Sequence, residues 1–433
     1  MEATKESKIV SNNFKVLIIG GGNCGLAIAT GLKKADIDYA VFERDRENDY
    51  YNRPRDWGML LHWGTEYLEK VLPAHLRARI SDIRCDPHGD PSACSAPVPF
   101  LNALTGQLIA EFPLEGTNRV SRMKLRRFLT QGENLNVQFE RCFENVVVEG
   151  DAVRVLFRDG TQETGNLVIG CDGSHSKVRE FLTGYDAAQL EPVGLTMMNF
   201  PKSGYTAEEA HLLQTLHPVF KIASHPERPG NAMLAGETKR ATYFCFAEVV
   251  VLIPWTVLDI PDPDDATTWK FQNYIGWWGP PYAEDLQDPD TRMDFYRTWT
   301  ASLCEPFRTG ALKLAEREVV PVYAGQQWAP TMAWDNHDGR VTLAGDAAHS
   351  MVPQRGQGLN HAMRDASDLV DAIQGIVSRK NTLAHLITAY EGEMRPRGAT
   401  EVALSLEQAI KARDKSTIMD SPLFKMGWRR GHT

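Results

Sequence analysis

Gly20, Gly22 and Gly25, spaced G-x-G-x-x-G, and Glu43 eighteen residues further on form a set that can hold a dinucleotide. The first glycine permits a tight turn, the second lets the backbone approach a pyrophosphate, and the third lets a helix pack closely on its strand. A helix opening there presents unpaired N–H groups and positive potential to the phosphates. Glu43 stands where a carboxylate accepts hydrogen bonds from an adenosine ribose, which disfavours a 2′-phosphorylated nucleotide in that pocket. Arg44 follows it as a further cofactor-side candidate.

Two more clusters extend this chemistry. One reads Gly170-Cys171-Asp172-Gly173-Ser174-His175-Ser176. The other reads Gly345-Asp346-Ala347-Ala348-His349, followed by Pro353-x-x-Gly356-x-Gly358-Leu359-Asn360. A helix beginning near Gly358 aims its positive end at negative charge developing in front of it. With Arg122 in the segment Val120-Ser-Arg-Met-Lys-Leu-Arg-Arg127, these clusters resemble the signatures of the class A flavoprotein monooxygenases. That family includes p-hydroxybenzoate hydroxylase, kynurenine monooxygenase and many fungal natural-product hydroxylases, and the likeness spans roughly residues 14–395.

The resemblance implies FAD as cofactor, NADPH or NADH as reductant, and O2 captured as a C4a-hydroperoxyflavin whose distal oxygen passes to an electron-rich carbon. It implies that Asp346 bonds the ribityl chain and that Arg122 contacts the phosphate and ribityl region. Asp172 would support both FAD and transient docking of NAD(P)H. The Pro353 carbonyl would face the peroxide, and Gly356, Gly358, Leu359 and Asn360 would bring backbone N–H groups to the flavin pyrimidine. Val352 departs from the family pattern, replacing the first proline of a frequent Pro-Pro pair.

The cofactor carries the oxidation chemistry, so the protein has to orient the substrate, exclude water and, for a phenol, help remove its proton. Candidates lie in YYNRPRDWGMLLHW. Family members place an arginine on this loop beside the mobile flavin, which makes Arg55 the first choice. Arg53 is a second candidate, Asp56 could cap the following helix, and His62 reads better as a packing residue. Tyr243, alternating with small residues beside Phe244 and Phe246, could face a substrate or a core. Arg355 would bind an anionic or phenolate-like substrate, hold the reduced flavin, or face solvent. Trp277 and Trp278 could line a pocket, fill a core or, if exposed, mark an oligomer surface.

These residues need a particular framework. Residues 15–19 are an apolar run ending in glycines, Leu26 to Lys34 has helical spacing, and Tyr39–Glu43 is a second apolar run, which together predict a β-α-β unit. Leu167–Gly170 and Val341–Ala344 also end in turn signals, placing all three clusters at the carboxyl ends of strands in one parallel sheet, where open α/β sheets bind ligands. Between Pro192 and roughly Pro330, aromatic and β-branched segments broken by Pro, Gly and Asp predict a mostly antiparallel sheet. The hairpin-like Val98–Pro113 is expected to join it. The expected fold is α/β: a Rossmann-like FAD-binding domain with an inserted, mostly antiparallel β-sheet substrate domain and C-terminal helices. The FAD domain takes residues 1–80, 115–187 and 330–395, the substrate domain 81–114 and 188–329, and a helical segment and tail 396–433.

Composition narrows the alternatives. Over 433 residues, 47 Lys+Arg against 56 Asp+Glu give a net charge of −9, with no basic tract to neutralise a nucleic-acid backbone. The seven cysteines are far apart and lack C-x2-C pairing, which fits a reduced cytoplasmic chain without a cysteine metal site. No apolar run approaches the ~18 residues of a membrane span. A monomer or homodimer is expected. The reading is a monooxygenase acting on an aromatic, phenolic or polycyclic small molecule by hydroxylation or epoxidation, in fungal specialised metabolism. Baeyer–Villiger oxygenation, a flavin-dependent reductase, and a flavin-loaded binding or scaffold protein without turnover are the alternatives. A halogenase is disfavoured because Trp-x-Trp-x-Ile-Pro is absent.

Overall fold

The computed structural model describes residues 14–53, 56–90, 96–112, 117–215, 217, 220–225, 252–314, 318–412 and 415–427. Lys15–Ile19 (β1), Asp38–Phe42 (β2), Val137–Gln138 (β7), Leu167–Gly170 (β11) and Val341–Leu343 (β17) form a parallel sheet in the order β17-β11-β1-β2-β7. Val16, Leu17 and Ile18 are wholly buried because helices cover one face of this sheet and the short antiparallel strands of residues 143–165 cover the other, with Phe157 against Phe42. The helices Asn23–Lys34 and Gly358–Val377 pack on each other in this core, where Gly31 lies against Val370.

Phe143–Glu149 (β8), Ala152–Phe157 (β9) and Gln162–Gly165 (β10) make a small antiparallel sheet leading into β11. Gly58–Leu61 (β3) pairs with Asn118–Ser121 (β6), which runs directly into the helix Arg122–Thr130. The Ser121 hydroxyl caps that helix by accepting from Lys124 N, and Asp56 braces it by accepting from Met123 N and the Ser121 hydroxyl. Asp56 therefore caps a helix distant in sequence rather than the one that follows it.

The second large sheet comprises Val98–Asn102 (β4), Leu108–Phe112 (β5), Glu191–Lys202 (β12), Phe220–Ser224 (β13), Leu252–Asp259 (β14), Lys270–Trp278 (β15) and Tyr323–Gln327 (β16). Its order is β16-β12-β15-β14-β13-β4-β5, antiparallel except where β13 meets β4. Period-two alternation gives it two different faces. Met198, Phe200, Phe271, Ile275 and Trp277 point into an apolar core with the helix Pro289–Thr300, while Met197, Asn199, Gln272 and Tyr274 point the other way, toward the parallel sheet. The molecule is thus a Rossmann-like α/β domain with an inserted, mostly antiparallel sheet and C-terminal helices. One unbroken helix, Leu383–Lys411, crosses the boundary drawn at residue 395.

Trp277 is 1% exposed and donates to the Pro281 carbonyl, and Trp278 donates to the Ala409 carbonyl. Neither forms an exposed pair: one fills the core and the other docks the end of the C-terminal helix. Among the described residues no helix is long and apolar enough to cross a membrane, and no group of His, Cys, Asp and Glu could hold a metal ion.

Candidate active site

The carboxyl ends of β1, β2, β11 and β17 open on a cleft of about 1030 Å³ whose opposite wall is the polar face of the large sheet. Its floor begins at the glycine turn. Gly20 has φ +108°, and a Cβ there would meet the Cys171 carbonyl at 2.4 Å; a Cβ on Gly25 would meet the Gly20 carbonyl at 2.2 Å. Gly22 differs, since its nearest neighbour would be 3.9 Å away and its open side faces the cleft. Two glycines therefore serve close packing, and the middle one leaves backbone accessible. Gly25 itself does not line the cleft.

Glu43 is buried, and its carboxylate accepts from Gly21 N and Asp45 N, each at 3.0 Å, which ties the end of β2 to the glycine turn. Arg44, Arg53 and Arg122 join it along the same stretch of cleft. Arg122 stacks on the Trp57 ring at 4.7 Å. Burial, with Arg126 and Arg53 nearby, pushes Arg122 down to about 10, while Asp346 and Asp56 pull the other way, so it stays cationic at neutral pH. Positive charge thus concentrates here on a chain whose net charge is −9.

Asp172 lines the cleft and holds the start of the helix Lys177–Thr183, accepting from the Ser176 hydroxyl at 2.5 Å and Lys177 N at 2.6 Å. Burial raises its carboxyl pKa against those bonds. Arg179 then links two motifs, donating to the carbonyls of Ser174 and Ala347 while stacking on Trp328. Asp346, which opens the short helix Asp346–His349, also borders the cleft.

Pro353, Gly356, Gly358 and Leu359 complete this wall. Gly356 ends a 3-10 turn at φ +62°, a left-handed conformation natural to glycine, and the next helix starts at Gly358. Its first intrahelical bond runs from His361 N to Gln357 O, so the N–H groups of Gly358, Leu359 and Asn360 precede the ladder. Two neighbours turn elsewhere. Arg355 is wholly buried and pairs through Nε with Glu401 at 3.0 Å; it faces neither solvent nor cleft. Asn360 is also wholly buried away from the cleft, its Oδ1 accepting from His62 N and Gly64 N and its Nδ2 donating to Leu60 O. Consecutive positions on a tight turn and first helical turn point in different directions, so one motif supplies both cleft-lining and clamping residues.

That clamp fixes His62. Gln357 accepts from Trp63 Nε1, so its Nε2 faces His62 Nε2, which also receives Asn360 Nδ2 at 3.2 Å. The imidazole is therefore a neutral acceptor at Nε2, with its proton on Nδ1. Burial, then the Arg355 charge, pushes His62 down to about 3. An unfolded histidine protonates near ~6.5. Between these values only the unfolded chain binds the proton, so stability rises with pH in this window and is lost as pH falls. Wild-type protein should lose about 2 kcal/mol from this residue between roughly pH 7 and 5, a loss absent from His62→Gln. Urea unfolding of both proteins at the two pH values measures it, and parallel losses would reject the assignment.

The far wall is Asn199 and Met197 from β12, Gln272 and Tyr274 from β15, Thr256 from β14, and Arg119 from β6. Arg119 is buried and donates to Val257 O, the Thr256 hydroxyl and Gln272 Oε1. Sequence reasoning did not single out these residues. The available signal was Gln272 and Tyr274 alternating with Phe271 and Ile275 in a strand that ends in two tryptophans. Arg55 and Tyr243 lie outside the described residues.

The glycine turn with open backbone at Gly22, the cationic rim and the free helix start at Gly358 suit a phosphate-linked dinucleotide carrying an extended ring system. The comparisons agree. Residues 318–405 match the family model of the FAD binding domain. The chain is 32% identical to the FAD-dependent monooxygenase phnB of Penicillium herquei over 97% of this chain and 96% of that one. It is 30% identical to the FAD-dependent monooxygenase cctM of Talaromyces islandicus, over 96% and 97%. The fold is similar to HpxO of Klebsiella pneumoniae, solved with FAD and uric acid, with TM-score 0.70, 19% identity, and 98% and 95% of the two chains covered. The chain belongs to the FAD-dependent monooxygenases and is an enzyme that uses FAD.

Proposed function

We propose that this enzyme inserts one oxygen atom from O2 into an aromatic, phenolic or polycyclic small molecule, by hydroxylation or epoxidation, with NADPH or NADH as reductant. The observation that carries this reading is the single cleft that runs from the glycine turn, past the helix start at Gly358, to the polar face of the large sheet. Such a cleft can hold a dinucleotide at one end and a flat organic substrate at the other. The likeness to fungal monooxygenases supports a place in specialised metabolism, and the cysteine pattern supports a cytoplasmic setting.

In this reading Gly20, Gly22 and Gly25 form the pyrophosphate turn, Glu43 receives the adenosine ribose, and Arg44, Asp172, Arg122 and Asp346 hold the phosphates and ribityl chain. Bound flavin supplies the redox chemistry that delivers oxygen. Gly358 and Leu359 offer backbone N–H groups and the helix's positive end to negative charge on the ring, whereas Gly356, expected to do the same, gives its N–H to the Pro353 carbonyl at 2.9 Å and shapes the turn instead. Pro353 borders the place where substrate and cofactor meet, and the sheet wall orients the substrate and excludes water.

The test begins with the visible spectrum of purified protein, then consumption of NADPH and NADH under air with phenols, indoles and anthraquinones. Flavin bands and substrate-stimulated oxidation giving a product heavier by one oxygen atom are expected. Flavin with stimulated oxidation but no oxygenated product would instead favour a reductase.

A further inference from the structure

The sheet wall holds a chain of amides whose orientation is determined by its neighbours. Arg119 Nη2 and Gly58 N can only donate, and both reach Gln272 Oε1, at 2.6 and 2.7 Å. Gln272 Nε2 must then be the end that meets Asn199 Oδ1, at 2.8 Å. Asn199 is left with its Nδ2 amide, a donor only, on a side chain that lines the cleft. Directly opposite in register across β12 and β15 stands Tyr274, also lining the cleft. With Gln354 Nε2 donating to its oxygen at 2.8 Å, the phenol keeps its own proton for a ligand. Burial pushes the Tyr274 phenol well up, so it stays a neutral donor across the working pH range.

We propose that Asn199 and Tyr274 are a specificity-determining pair that binds one hydrogen-bond-acceptor oxygen of the substrate, a ring carbonyl or an ionised ring hydroxyl. Opposed residues on neighbouring strands hold their Cβ atoms about 5 Å apart, which lets two side chains meet one ligand atom. The buried Arg119 guanidinium behind the amide chain adds positive potential to the wall and favours electron-rich oxygen there. A purely hydrocarbon ring edge at this wall would strand two donors, and leaving buried donors unpaired is costly. This inference rests on the proposed oxygenase reading, and its function would be to set which edge of the ring system points away from the flavin.

The test measures dissociation constants on the flavin-loaded enzyme by protein fluorescence and flavin difference spectra. The probes are α-tetralone, which has a carbonyl, 1-naphthol, which has an ionisable hydroxyl, and tetralin, which has neither. Tetralone or 1-naphthol is expected to bind wild type at least about tenfold more tightly than tetralin, and Tyr274→Phe and Asn199→Leu should each remove most of that preference. Asn199→Asp, nearly the same shape but without donors, should remove it too, while tetralin affinity stays level. A preference for tetralone at every pH identifies a carbonyl, and one for 1-naphthol that grows with pH identifies an ionised hydroxyl. Equal affinities for all three probes, or a preference that survives all three substitutions in flavin-loaded, folded protein, would overturn the pair. Absence of flavin and product from wild type would instead remove the oxygenase reading, while the fluorescence titration still decides the pair.

Discussion

Gly22→Val is expected to yield a folded but colourless protein, with FAD affinity weakened on the order of 100-fold or more, about 2.7 kcal/mol or more. The added Cβ has space, since its nearest neighbour is the Cys171 carbonyl at 3.9 Å, so the fold tolerates the change. The branched methyl groups, however, project over the backbone that a pyrophosphate would approach at the start of the Asn23–Lys34 helix. Gly25→Ala should behave in the opposite way. Its single methyl would lie 2.2 Å from the Gly20 carbonyl, against backbone that cannot yield without parting β1 from the helix. That protein should be recovered in low yield with a depressed melting temperature. Circular dichroism, thermal melts and flavin titration of the two variants separate the effects. Flavin retained at wild-type affinity in Gly22→Val would place the cofactor elsewhere.

The contrast between these glycines also marks how far the sequence could be read. Apolar runs ending in glycine or Gly-Asp located β1, β11 and β17, because strands buried on both faces have a strong local pattern and a short turn must follow them. The antiparallel sheet was readable as a composition change, and its polar face was missed because Asn199, Gln272 and Tyr274 each look ordinary in isolation. Their meaning comes from register across β12 and β15, which no local pattern specifies. Arg355 reads as a cleft or solvent residue because it sits inside a cofactor-like motif, and Asn360 reads there only as a backbone N–H donor, with nothing to say where its side chain goes. Their actual partners, Glu401 and the His62–Gly64 turn, are distant in sequence, and only tertiary packing decides which way a side chain on such a turn points.

The same packing predicts the largest loss of stability. Asp365→Asn should destabilise the protein by about 3–5 kcal/mol, the range for removing one partner of a buried ion pair. Asp365 is wholly buried; its Oδ2 accepts from Gly345 N at 2.8 Å and faces His349 Nε2 at 2.7 Å, while its Oδ1 accepts from Arg397 Nη2 at 2.7 Å. Burial alone would raise this carboxyl, but His349 and Arg397 outweigh it and hold it well below the usual carboxylate range. Asparagine keeps the shape and fails electrically, because whichever end carries the NH2 group confronts a donor and the Arg397 charge keeps only the partly exposed Glu393 carboxylate at 3.0 Å as its counter-charge. The depressed pKa makes the contribution fully present above an unfolded aspartate value of ~3.9 and lost only as pH falls through the lower folded value. Wild type and variant should therefore differ by a constant amount from roughly pH 5 to 8 and converge only in acid. Because Gly345 precedes Asp346, the variant should also bind flavin more weakly at temperatures where it remains folded. Urea unfolding across that pH range measures the first effect and flavin titration the second. A destabilisation below about 1 kcal/mol would mean that water or a rearranged Arg397 replaces the carboxylate, and that the link from the C-terminal helix to the cofactor loop is not electrostatic.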